Sequence, residues 1–269
     1  MMFRGRRYRN GTKILRPVRP NAGIEAMYRR ELELLIHEMH EEVRQVVLGT
    51  YDDNEPTIAQ DTTPADMLRA AVARMTRKWT ERFDEAAGRL ANYFSTAIEQ
   101  RSSAAMRKIL ADGGWTVHFT HTPAMRDVFQ ATVNQNVSLI KTIPQQYLGD
   151  VEGMVQRSVQ TGRDLGKLSA DLQQKYGVTR RRAALIARDQ NNKATSAFTR
   201  VRQQELGIEK AIWMHSHAGE VPRPTHVKMD GKEFEIKKGM YDKDEGEFVW
   251  PAQLINCRCT SRPVVEGFS

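Results

Sequence analysis

One apolar stripe in residues 68–97 constrains the fold more than any other feature of the sequence. Its members recur at a mean spacing of about 3.6 residues, which predicts an amphipathic helix: Leu68, Val72, Met75, Trp79, Phe83, Ala86, Leu90, Phe94 and Ala97. The pattern starts after Pro64 and fades near Gly113. A helix of that length reaches on the order of 70 Å, which exceeds a compact domain. We therefore expect it to need another helix or subunit, with a partner interface at Trp79, Phe83, Leu90 and Phe94.

Further helices are predicted on both sides of this one. Asn21 is a good N-cap for a helix that runs to about Gly49. Prolines and glycines bound four later helical segments, with Pro144 and Gly177 as breaks: about 123–141, 144–161, 164–176 and 179–206. Residues 115–120 are either a short strand or a connector. Gly207 fits the position just after a helix end.

The character of the sequence changes after Gly207. Short extended segments are predicted at 208–214, at 232–236 and within 248–265, with a turn at 221–224. The predicted fold class is mainly α, with a long-helix N-terminal region followed by a small C-terminal α+β module. The predicted domains are a basic extended arm at 1–20, a helical region at 21–178 and the module at 179–269.

Positive charge is concentrated in two places. The chain carries a net charge of +8, and residues 1–20 contain seven cations and no acidic residue. Such a segment favours polyanions such as DNA, although a solvated tail is the alternative. A second basic cluster lies on the predicted helix at 179–206, where a solvated helix surface is again the alternative. The predicted nucleic-acid-binding residues are Arg4, Arg6, Arg7, Arg9, Lys13, Arg16, Arg19, Arg180, Arg181 and Arg182.

The two cysteines, Cys257 and Cys259, are separated by one residue, so a disulfide between them would be strained. We expect buried structural thiols and no cofactor. A zinc site is the alternative, in which both sulfurs, His226 and a second histidine form a tetrahedron. Catalytic thiols are the least favoured interpretation. No uninterrupted apolar run of about 18 residues occurs in the sequence, so no membrane partner is expected.

A nuclease site can also be assembled from the C-terminal residues. His215 and His217 would bind a metal ion, His226 or Asp230 would act as the general base, and an arginine would hold phosphate. The candidate arginines are Arg223 and Arg258. Hard divalent cations prefer oxygen ligands, and carboxylates are scarce near these histidines. We therefore expect no enzymatic activity, and a metal-dependent nuclease or toxin-like module is the alternative function.

The last ninety residues carry an ordered set of short motifs. A helix with Leu-Ile-Ala-Arg-Asp at 185–189 precedes a tryptophan strand, an Arg-x-x-His pair, Asp-Gly and a closing Asn-Cys-Arg-Cys. This order resembles the phage Mu protein F-like family of minor head proteins. The motif residues are Trp213, Arg223, His226, Asp230, Gly231, Asn256, Cys257, Arg258 and Cys259. Two departures occur, because many members have an acidic residue near 215–218 and a Thr-Glu pair where this chain has Arg188 and Asp189.

The resemblance implies a non-enzymatic virion component of a tailed phage. Such proteins are built into the prohead in few copies near the portal vertex. The implied partners are the portal protein, other head proteins and double-stranded DNA. The implied location is the head interior or portal vertex, and the host cytoplasm during assembly. A sequence-specific DNA-binding regulator is disfavoured, since it would need a compact helix-turn-helix rather than very long helices.

Overall fold

The computed structural model of the chain describes residues 11–52, 64–161, 165–217 and 221–266. Helices dominate these residues, and the short strands fall mainly after residue 209, so the predicted fold class is confirmed. The helices are α1 (Ala22–Asp52), α2 (Pro64–Gly113), α3 (Pro123–Gln160), α4 (Leu165–Glu205) and α5 (Pro224–Met229). The strands are β1 (Lys13–Ile14), β2 (Lys210–Met214), β3 (Glu233–Glu235), β4 (Met240–Asp242), β5 (Glu247–Val249) and β6 (Thr260–Val265).

Local capping signals fix two helix ends as predicted. Asn21 Oδ1 accepts a hydrogen bond from the backbone N–H of Ile24 at 3.1 Å, which caps the start of α1. Gly207 has φ 68° at the end of α4. The next residue, Ile208, donates its N–H to the carbonyl of Gln203 at 2.9 Å. This pairing is the Schellman arrangement, which favours glycine because the backbone is left-handed there.

Two predicted helix breaks are wrong. Pro144 lies inside α3, and Gly177 lies inside α4, so four predicted segments become two long helices. A proline costs a helix interior about 3 kcal/mol, whereas burying a large apolar side chain gains about 1.5–3 kcal/mol. Ile140, Ile143 and Tyr147 are all buried around the proline, so burial outweighs the missing hydrogen bond.

Contacts divide the chain into two compact units that are not contiguous in sequence. Unit 1 comprises the chain up to Ile24, residues 95–132 and residues 188–269. Unit 2 comprises residues 25–94 and 133–187. The 50-residue helix α2 contributes to both units, so its length does not require a second subunit. Unit 1 is larger than the module that the sequence predicted at 179–269.

Unit 2 is a set of helical segments packed around the apolar stripe of α2. Trp79, Phe83, Leu90 and Phe94 are all buried, with Phe83 and Phe94 fully inaccessible. The ring of Tyr28 on α1 stacks on Phe94 with 4.1 Å between the ring centroids. These four residues are therefore core rather than the predicted partner interface, because other helical segments of the same unit cover the stripe.

Unit 1 contains a four-stranded antiparallel sheet with the strand order β1-β6-β2-β3. Along β2, Ala211 and Trp213 are fully buried, and Trp213 pairs with Ser261 of β6. A separate two-stranded ladder joins β4 to β5. Helix α5 begins at Pro224, the last residue of the predicted turn at 221–224, and it carries His226.

The described part of the predicted basic arm, residues 11–20, packs within unit 1. Leu15 and Val18 are buried, and the N–H of Leu15 donates to the carbonyl of Pro263 at 2.9 Å. Residues 115–120, which are all described, form no strand and are therefore a connector, the second of the two predicted possibilities. None of the helices in the described ranges combines the length and apolarity that a membrane span requires.

Candidate functional site

Three metal-ligating side chains converge in unit 1. His226 lies on α5, and Cys257 and Cys259 lie in the segment that leads into β6. The His226 Nδ1 atom is 3.4 Å from Cys257 Sγ and 3.7 Å from Cys259 Sγ. All three side chains are buried, and the two cysteines are free thiols. The predicted proximity of His226 to the cysteines is confirmed, although the cysteine segment is irregular rather than a strand.

A buried carboxylate stands on the other side of the His226 ring. Asp242 Oδ2 is 3.3 Å from His226 Nε2, a distance suited to an ion pair, although the geometry is poor for a hydrogen bond. Asp242 is fully inaccessible to solvent, and its carboxylate accepts hydrogen bonds from Thr225 Oγ1 at 2.9 Å and from the N–H of Asp244 at 3.0 Å. Burial raises the pKa of Asp242, but these hydrogen bonds outweigh it and leave the pKa below its usual value. No sequence motif marks Asp242, so it is absent from the predicted site residues.

The two thiols interact strongly. A hydrogen bond from Cys259 lowers the pKa of Cys257 to about 4, against the opposing effect of burial, and His226 lowers it further. The pKa of Cys259 is raised, because its proton is shared with Cys257 and because it is buried. The pair therefore loses its first proton more readily than its second, and the two steps belong to the pair.

Helix α4 holds the Asn-Cys-Arg-Cys segment in place. Asp189 Oδ1 accepts the backbone N–H of Asn256 at 2.6 Å, and Arg188 donates to Asn256 Oδ1 at 3.0 Å. One helical turn later, Asn192 Nδ2 donates to the carbonyl of Cys257 at 3.2 Å. Asn256 has φ 59°, a left-handed conformation that asparagine tolerates better than most residues. Arg188 and Asp189, where the sequence departs from the family pattern, thus position the cysteine segment.

The other motif residues also pack around this segment. The Trp213 ring is fully buried, and its centroid lies 5.1 Å from that of His226. Gly231 has φ 74° and donates its N–H to the carbonyl of Trp213 at 2.9 Å. The Asp-Gly motif therefore forms the tight turn that starts the β3 side of the sheet.

A cavity of about 720 Å³ opens beside the trio formed by His226, Cys257 and Cys259. All three residues contribute to its wall. Its lining also includes three arginines: Arg188, Arg223 and Arg258. The Nε atom of Arg188 is buried without a hydrogen-bond partner, and Arg223 donates to the carbonyl of Ile255 at 3.1 Å. Arg223 also lies 3.9 Å from the exposed Glu245 carboxylate. The three arginines still give the described part of the wall an excess of positive charge, which suits an anion.

The structure brings together several residues of the nuclease alternative. The Nδ1 atoms of His215 and His217 are 3.3 Å apart. Burial, and then the neighbouring His217, lower the pKa of His215. Asp230 Oδ2 lies 3.2 Å from His217 Nε2, and its Oδ1 accepts the N–H of His215 at 2.8 Å. His215 lines the cavity together with Arg223, whereas Asp230 holds the loop that carries the two histidines.

The predicted DNA-binding cations differ in their surroundings. Arg4, Arg6, Arg7 and Arg9 lie outside the described residues. Arg19 and Arg181 are exposed. The other four contact acceptors within their own units: Lys13 with the Gly113 carbonyl, Arg16 with Asp112, Arg180 with Glu33 and Arg182 with Thr142. DNA binding by these residues stays a prediction.

The residues around the cavity resemble a known protein family. Residues 149–262 match the family described as Phage Mu protein F like protein, and this span contains every motif residue of the site. We refer to residues 149–262 as the Mu F-like region because of this similarity. The Mu F-like region begins inside α3, about thirty residues before the start that the motifs suggested.

One relative matches outside as well as inside the Mu F-like region. An uncharacterized protein of Haemophilus influenzae is 27% identical over 260 residues, which cover 94% of this chain and 56% of that protein. The chain therefore spans little more than half the length of this relative. No solved structure matches the chain.

Proposed function

We propose that the chain is a minor head protein of a tailed bacteriophage that acts in head morphogenesis near the portal vertex. The observation that carries this proposal is the Mu F-like region, which contains every residue that lines the cavity. The proposal includes contacts with the portal protein, with other head proteins and with packaged double-stranded DNA. Through those contacts the chain would assist DNA packaging or ejection.

The make-up of the cavity supports a non-enzymatic role. Among the described residues, its wall contains no carboxylate. The nearby acids make contacts inside the module: Asp189 and Asp230 accept backbone N–H groups, and Asp242 lies behind His226. Nucleases that use magnesium-like ions need several oxygen ligands, mostly carboxylates, to hold the ion next to the substrate. The described residues do not offer such a set, which disfavours a magnesium-dependent nuclease.

The charge distribution supports DNA contact. Seven of the chain's cations lie in residues 1–20, where no acidic residue opposes them. Cations of this kind bind phosphates without reading sequence, which suits a protein that meets packaged DNA of any sequence. Arg19 and Arg181 are exposed and available for the same purpose.

The test is the composition and structure of heads from the phage that encodes the chain. We expect quantitative mass spectrometry of purified proheads to find the chain in fewer copies than the major capsid protein. Cryo-EM without imposed symmetry should find its density at the portal vertex. Absence of the chain from purified heads would contradict the proposal. Chelator-sensitive cleavage of DNA by the purified chain, lost in His226→Ala, would support the nuclease alternative instead.

A further inference from the structure

The trio of His226, Cys257 and Cys259 has the spacing of a metal site. Zinc binds thiolate sulfur at about 2.3 Å and histidine nitrogen at about 2.0–2.1 Å, in a tetrahedron. A sulfur and a nitrogen on such a tetrahedron lie about 3.6 Å apart. The two observed distances from Sγ to Nδ1 are 3.4 and 3.7 Å. The three ligand atoms all lie within 4.8 Å of one another, so one ion can reach them together.

The position of Asp242 gives independent support. A histidine that binds a metal through one ring nitrogen usually presents the other to a carboxylate, which fixes the ring and its tautomer. His226 turns Nδ1 toward the sulfurs and Nε2 toward the buried Asp242 at 3.3 Å. With a proton on Nε2, facing Asp242, the Nδ1 lone pair is free to bind an ion on the side of the ring where the two sulfurs lie. Two buried thiols without a metal would not require a fully buried carboxylate beside His226 Nε2.

We propose that His226 Nδ1, Cys257 Sγ and Cys259 Sγ bind one zinc ion whose fourth coordination position faces the arginine-lined cavity. Two soft thiolates and one imidazole select zinc over magnesium or calcium. All three ligands form part of the cavity wall, so a water molecule or an oxyanion can reach the fourth position from the cavity. His215 also lines the cavity but does not belong to the group of atoms within 4.8 Å. This inference does not depend on the proposed role in the phage head.

The competing explanation is a pair of buried thiols hydrogen-bonded to His226, which the same distances also permit. The two explanations differ in composition and in response to metal. A zinc site couples metal binding to folding, so removal of the ion destabilises the module. A thiol pair has no bound metal, and a chelator leaves it unchanged.

The experiment uses the full chain, purified without a histidine tag or chelator. Elemental analysis should find about one zinc ion per chain. Cobalt(II) added to the metal-depleted chain should give the intense visible bands of a tetrahedral site and a thiolate-to-cobalt charge-transfer band. Cys257→Ser and His226→Gln should each lower the bound zinc at least tenfold. His118→Gln is the matched control, because His118 is exposed in the same unit and should leave zinc binding unchanged.

Two results would overturn the proposal. One is a wild-type chain that contains no zinc and gives only the weak spectrum of octahedral cobalt. The other is full zinc content in folded Cys257→Ser or His226→Gln chains, which would place the ion elsewhere. If these variants do not fold, the cobalt spectrum of the wild-type chain decides between tetrahedral thiolate ligation and its absence.

Discussion

The Asp189 carboxylate accepts the backbone N–H of Asn256 at 2.6 Å and connects helix α4 to the cysteine segment. The other carboxylate oxygen lies 2.8 Å from Lys193 Nζ, and the Asp189 side chain is almost completely buried. The two residues are distant in sequence, and the contact holds the segment at its left-handed turn at Asn256.

Replacing Asp189 should destabilise unit 1. Asp189→Ala leaves the Asn256 N–H and Lys193 without their acceptor, which we expect to cost about 1–3 kcal/mol. Chemical denaturation followed by Trp fluorescence measures the change. Asp127→Ala, an exposed position on α3 in the same unit, should stay within about 0.5 kcal/mol of the wild type. Equal stability of the two variants would show that the Asp189 contact contributes nothing.

The stripe of α2 should behave as core. Trp79→Ala removes a large buried side chain, and we expect a loss of about 3–5 kcal/mol in the free energy of unfolding. Tyr93→Ala, on the same helix with 56% of its surface exposed, should change stability far less. Denaturant titration tests both. If Trp79→Ala left stability unchanged and lowered only incorporation into heads, the original interface hypothesis would be correct.

Glu33 should make the stability of unit 2 sensitive to acid. Burial raises the pKa of Glu33, but hydrogen bonds and charge attraction from Arg29 and Arg180 outweigh it and leave the pKa below its usual value of 4.5. A carboxylate with a lowered folded-state pKa stabilises the fold above its unfolded-state pKa and loses that effect as the pH falls through the folded-state pKa.

We therefore expect Glu33→Gln to be less stable than the wild type at pH 7 by about 0.2–1 kcal/mol per ion pair, since both arginines are half-exposed. The difference should shrink in acid below pH 4.5. Thermal unfolding at neutral and acidic pH measures it. Glu81→Gln, at an exposed position on α2, serves as the control. A difference that grows in acid would contradict the assigned direction of the shift.

The first arginines of the chain should govern any affinity for DNA. Deleting residues 1–20 would also remove β1 and the buried Leu15 and Val18, so charge neutralisation is the cleaner test. Changing Arg4, Arg6, Arg7 and Arg9 to Gln should flatten the log-log salt dependence of binding by up to about 3.6, at 0.9 for each phosphate contact. The loss of DNA affinity should be similar for all DNA sequences.

Fluorescence anisotropy across a salt series measures this slope. The matched control removes the same charge from exposed positions on α2, by changing Arg74, Arg77, Arg89 and Arg101 to Gln. If both quadruple variants flattened the slope equally, net charge rather than the N-terminal segment would govern binding. An unchanged slope in the N-terminal variant would exclude those four arginines from DNA binding.

Local sequence determined the helices and their caps, because helix periodicity and capping act over a few residues. The stripe of α2, the Asn21 cap and the Gly207 end are all as predicted. The breaks at Pro144 and Gly177 were wrong because local propensity is worth about 1–3 kcal/mol, and burial of neighbouring apolar side chains exceeds it. The burial of Trp79 was missed because the sequence does not say which helix covers which face.

The candidate site was only half determined by sequence. Residue chemistry singled out His226, Cys257 and Cys259, since few other side chains here suit a soft metal. Tertiary structure alone placed Asp242 behind His226 and Asp189 beneath Asn256. No regular sequence spacing links either carboxylate to its partner, because each contact joins two separate elements of the fold. Their effect on the site comes from burial and distance, and the folded chain sets both.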